Sequence, residues 1–119
     1  MIVRTNTGYR EFRSVSGYEH QGGIAVPLRE PEATGLPGPT ESAILGELED
    51  TICSLLEEQA ESLLVAVITT GGMREFVFYT REPQRVEQRV AELRKQITSH
   101  EIQLIIQLDR TWRIFAQLA

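Results

Sequence analysis

Cysteine occurs once, at Cys53, so no disulfide can close within the chain, and a reducing, cytoplasmic setting is expected. Lysine also occurs once, at Lys95, which makes arginine almost the sole base. Twelve bases against seventeen acids leave a net charge of −5. Such a chain lacks the basic footprint that drives binding to a phosphate backbone, so nucleic acid is not an expected partner. No apolar run approaches the roughly 18 residues of a membrane span. No charged n-region with an apolar h-region follows Met1. Neither secretion nor a membrane location is expected.

Catalytic groups are equally scarce. Histidine occurs only at His20 and His100, and neither has a metal-ligand partner at a useful spacing, so no metal is expected. Cys53 falls in mid-helix, away from a helix start that would lower its pKa, and reads as a packing residue. The glycine pair Gly71-Gly72 joins two antiparallel strands and does not open a helix, so it matches no phosphate-cradling loop. With no nucleophile beside a base, the chain is not expected to be an enzyme or to need a cofactor.

What remains is an ordinary globular pattern. Its 119 residues, 41% hydrophobic, suffice for one domain with its own core. Residues 1–21 are read as an N-terminal extension. Ile2-Val3-Arg4-Thr5 and Tyr9-Arg10-Glu11-Phe12 form a possible β-hairpin around Gly8. Ser14 to Gly23 reads as a linker. Residues 22–119 form the main domain, with a first strand over Ile24–Arg29 and a loop over Pro31–Pro39. Thr40 then caps a helix running to about Ala60, its stripe made by Ile44, Leu45, Leu48, Ile52, Leu55 and Leu56. Glu41 places a negative charge at the positive end of the helix dipole.

Leu63–Thr70 is apolar on both faces and reads as a covered strand. Gly71-Gly72 turns it into an antiparallel strand over Arg74–Thr80. Pro83 opens a second helix whose buried stripe is Val86, Val90, Leu93 and Ile97. Ile102 to Leu108 alternates as a last strand, and Asp109 caps a short terminal helix bearing Trp112, Ile114 and Phe115. The order β-α-β-β-α-β predicts an α+β, ferredoxin-like sandwich: a four-stranded antiparallel sheet with both helices on one face. That architecture argues no function by itself.

The segments Val3–Phe12 (V-R-T-N-T-G-Y-R-E-F) and Val67–Phe76 (V-I-T-T-G-G-M-R-E-F) agree at six of ten positions. Two hairpins with the same turn chemistry explain this, as does a remnant of a preceding repeat.

Two surfaces are the candidates for function. The sheet face away from the helices should present Val77, Tyr79 and Ile105 among Glu75, Gln103 and Gln107. A second copy or another cytoplasmic protein is the expected partner there, unless Tyr9, Phe12 or Tyr18 folds over it. R-E-F-V-F-Y (Arg74–Tyr79) has a likeness to the aromatic strand of RNA-recognition modules. Alternation leaves it a single exposed tyrosine beside an acid, a poor stacking platform. At one end of the sheet, Arg29, Arg74 and His100 converge with the helix start, where a small anion or metabolite is the alternative ligand. The competing reading there pairs Arg74 with Glu41 or Glu47.

Four stretches also look familial: P-x-x-x-G-L-P (Pro31–Pro37), L-x-x-L-E-D (Leu45–Asp50), T-x-G-G-x-R-E-x-x-F-Y (Thr69–Tyr79) and D-x-x-W (Asp109–Trp112). Together they resemble the bacterial family called domain of unknown function 695 over about residues 24–115, with Phe115 where a tyrosine is expected. The family has no established activity. Some members are joined to a domain similar to regulator B, a protein inhibitor of ribonuclease E, which implies a protein-binding or regulatory role. The expectation is therefore a non-enzymatic interaction module that pairs with a second copy or with another protein.

Overall fold

The computed structural model describes residues 2–5 and 17–118. Within them, five strands and three helices follow one another as β1 (Ile2–Thr5), β2 (His20–Pro27), α1 (Pro39–Glu57), β3 (Ser62–Thr70), β4 (Met73–Thr80), α2 (Pro83–Gln96), β5 (Gln103–Leu108) and α3 (Arg113–Leu118). The strands form one sheet in the order β1-β3-β4-β2-β5, and every neighbouring pair is antiparallel. The strands β2 to β5 and the helices α1 and α2 make the expected α+β sandwich. β1 lengthens the sheet at the β3 edge. The expected hairpin over residues 1–21 thus has its first strand inside the main sheet, and its second strand lies outside the described residues.

Both long helices cover the same face. Leu45, Leu48, Ile52 and Leu56 of α1 and Val86, Val90 and Leu93 of α2 share a core with Ile24, Val26, Val67, Phe76 and Phe78. Alternation explains the set, because Phe76 and Phe78 are two residues apart on β4 and point the same way. Ile44 leaves the expected stripe and is exposed.

Three boundaries differ from the sequence reading. The first helix is capped by Gly38, not Thr40, with Pro39 in its first turn; proline has no N–H to lose there. Its end is Glu57, followed by a short 3₁₀ turn over Glu58–Ala60. The expected linker residues His20 to Gly23 belong to β2. Gly22 pairs with Phe78, and a β-carbon at Gly22 would lie 2.1 Å from Phe78 Cζ. Glycine serves close packing here, not a turn.

The larger correction concerns the far face of the sheet. It is not left open, because α3 folds back across β3 and β4. Val65, Ala66, Val77, Tyr79, Trp112 and Phe115 form a second core there, with Tyr18, Leu63, Ile68 and Ile114 at its margin. Val65 is the extra residue of a bulge between Leu64 and Ala66.

Candidate functional site

The end of the sheet where β2 leaves for α1 holds a cleft of about 210 Å³ lined by Arg29, Glu30, Thr40, Glu41, Ile44, Ser99 and His100. Glu41 stands at its buried wall. One carboxylate oxygen accepts from the Arg29 N–H at 2.6 Å and from His100 Nε2 at 2.7 Å; the other accepts from the Glu30 N–H at 3.0 Å. Burial alone pushes this carboxyl up, but the hydrogen bonds from Arg29, His100 and Glu30 outweigh it and hold the group below its ordinary range. An ionised carboxylate only accepts, so His100 Nε2 carries a hydrogen. His100 Nδ1 faces the Ser99 hydroxyl at 3.1 Å, a group that donates to a neutral ring and accepts from a charged one. Arg29 Nη1 closes the loop by donating to the Ser99 carbonyl at 3.3 Å.

Chemically this is a clamp. It ties the exit of β2, the first turn of α1 and the α2–β5 connection to one carboxylate. Two of the expected anion ligands, Arg29 and His100, do meet, but a negative charge sits between them. Arg74 is not among the lining residues. It lies opposite Thr69 in the β3–β4 hairpin, and its Nε donates to Thr69 Oγ1 at 3.0 Å. The expected pairing of Arg74 with Glu41 is replaced by that of His100. Ser99 escaped the sequence reading, and Glu41 entered it only as a charge on the helix dipole and as the competing partner of Arg74, because the partners of Glu41 lie 11, 12 and 59 residues away. The only local sign was an acid in a first helical turn, which the dipole already explains.

On the far face, Asp109 organises the cover. Its carboxylate accepts the N–H groups of Arg113 and Ile114 at 2.9 and 3.0 Å, and the Tyr79 hydroxyl at 2.8 Å. Burial pushes the Asp109 carboxyl up, yet these donors hold it below the usual range. Tyr79 is pushed up, first by burial and then by its hydrogen bond to Asp109. Trp112 stacks on Tyr79 with centroids 4.1 Å apart and anchors its indole N–H on the Tyr18 carbonyl at 2.8 Å. Tyr18 therefore does help cover the face, as one expectation had it; Tyr9 and Phe12 lie outside the described residues. Two of the three expected contact residues, Val77 and Tyr79, are buried by this cover and offer a partner nothing.

The third is different. Ile105 is 70% exposed, and Leu108, on the same strand, is 56% exposed. Ile105 lies opposite Gly23, which has no side chain to shield it. β5 is the last strand of the sheet, and its sequence Q-L-I-I-Q-L carries no charge and no proline. Exposed edges are ordinarily blunted by such residues or by bulges.

The direction of its free backbone groups follows from two end contacts. Asp109 N–H donates to Glu19 O at 2.7 Å, next to the pair His20 and Leu108. Leu28 N–H donates to Gly72 O at 2.8 Å, next to the pair Pro27 and Met73. Odd-numbered residues of β2 thus bond to β5 and even-numbered ones to β4. By the antiparallel alternation, Gln103, Ile105 and Gln107 bond inward. Leu104, Ile106 and Leu108 turn their N–H and C=O groups outward, where no strand follows among the described residues.

Among the described residues there is no group of three or more His, Cys, Asp or Glu side chains that would hold a metal ion, and no helix long and apolar enough to cross a membrane. A family model described as "Family of unknown function (DUF695)" matches residues 1–118, a longer span than the motifs alone suggest. No curated protein and no solved structure matches the chain.

Proposed function

Because the chain belongs to the DUF695 family, whose function is unknown, its role has to be sought in its surface, and we propose that it is a non-enzymatic interaction module that works as a homodimer. The observation that carries this reading is the pair of exposed residues Ile105 and Leu108 on an uncharged edge strand. An edge of this kind invites strand addition, in which main-chain hydrogen bonds supply affinity and alternate side chains supply specificity. A second copy suits it because the chain carries a net charge of −5, yet the strand itself is neutral. Two copies can meet there without placing like charges side by side.

The alternative of a small-anion ligand draws less support, since the Glu41 carboxylate occupies the wall against which an anion would rest. Sedimentation velocity tests the homodimer reading. The expected result is a reversible dimer in the micromolar range. A single species of 13.5 kDa at about 100 µM would defeat it, since an interface that weak lies near the bottom of specific association.

A further inference from the structure

Resting on that reading, we infer that the two copies join β5 to β5 about a two-fold axis through Ile105, making one continuous ten-stranded sheet from two five-stranded ones. The argument is the self-complementarity of the strand. A two-fold axis perpendicular to the sheet keeps each face on its own side, so paired residues must share a face. With Ile105 on the axis, Leu104 meets Ile106 of the second copy and Gln103 meets Gln107. One step further out, Ile102 meets Leu108. Apolar residues fall against apolar ones on the helix side, and amide against amide on the other. Both exposed apolar side chains of the strand, Ile105 and Leu108, are covered by this one register.

The backbone agrees. Ile105 bonds inward to β2, so its pairing across the axis is of the close, non-hydrogen-bonded kind. On either side, Leu104 and Ile106 carry the outward-directed N–H and C=O groups. Each such pair exchanges two hydrogen bonds, so the two symmetry-related pairs form four about the axis. Arg94 terminates the run by donating its Nε to the Ile102 carbonyl at 2.9 Å.

Charge agrees as well. Beyond the C-terminal end of β5, Arg110 and Arg113 line an open groove of about 410 Å³; Arg110 is ion-paired there with Glu19 at 3.4 Å, so Arg113 is the cation that would face an incoming acid. Antiparallel pairing brings the exposed Glu101 of the second copy to that end, twice in the dimer. Asp109 lies there too, but its carboxylate is already committed to α3 and Tyr79.

The test uses the full-length chain in three forms. Ile105→Arg sets two positive charges against each other on the axis and should weaken dimerisation at least tenfold in sedimentation velocity. Ser54→Arg, on the exposed face of α1, adds the same charge elsewhere and should leave it unchanged. Ile105→Cys in a Cys53→Ser background should form an intermolecular disulfide under mild oxidation, because close antiparallel pairs fall within the Cα spacing that a disulfide spans. A dimer that survives Ile105→Arg and gives no cross-link at position 105 would overturn this register while leaving self-association standing. A wild-type chain that stays monomeric would remove both.

Discussion

Phe78 lies across Gly22, its ring filling the space where any side chain at that position would begin; a β-carbon there would stand 2.1 Å from the ring, which leaves no room for even a methyl group. Gly22→Ala must displace a fully buried ring that is part of the helix-side core. Overpacking of this kind costs about 1–3 kcal/mol. Urea unfolding should show the loss as a lower midpoint with an unchanged slope. Gly46→Ala is the comparison, since its added β-carbon meets nothing within 4 Å.

The Tyr79 hydroxyl both donates to Asp109 and accepts the Phe115 N–H at 3.2 Å. Tyr79→Phe removes a bond to a charged group and orphans a buried N–H, a loss of about 1.5–3 kcal/mol. The pH dependence has a definite sign. The folded phenol is raised above its ordinary value of 10.0, so its contribution is complete below that pH and is lost as pH rises above it. Thermal unfolding from about pH 9 to about 11 should therefore fall more steeply for the wild-type chain than for the variant.

Glu41 acts at the opposite limb. Its folded pKa lies below the ordinary 4.5, so its stabilisation is present above that value and lost as pH falls through the lower folded one. Glu41→Gln offers one acceptor oxygen where three donors now converge, which predicts a loss of about 1–3 kcal/mol at pH 7. The stability difference should shrink as both chains are taken toward about pH 3. Asp109, lowered in the same direction, retains part of the acid sensitivity in the variant.

These residues also show what a sequence can carry. The β3–β4 hairpin was legible because Gly71 and Gly72 adopt the positive φ that their turn requires, and because alternation assigns Phe76 and Phe78 to one face. Asp109 was legible as a cap because its partners Arg113 and Ile114 are four and five residues away. The burial of Val77 and Tyr79 was not, since it depends on which layer α3 folds onto. Periodicity names an apolar face without naming what covers it. Gly22 and Gly23 misled for a related reason: composition marks glycine as a breaker, whereas here it makes way for the Phe78 ring and the Glu75 side chain. In the cleft, Arg29 and His100 were found from topology, but the Glu41 carboxylate between them is a product of three segments meeting.

The pairing of β5 with a second β5 is tested most directly by residue-resolved amide hydrogen exchange on the wild-type chain at low and high concentration. The amides of Gln103, Ile105 and Gln107 bond inward and should be protected at both. Those of Leu104 and Ile106 point to the free edge and should gain protection only as concentration rises. Fast exchange of these two amides at every concentration would contradict the account.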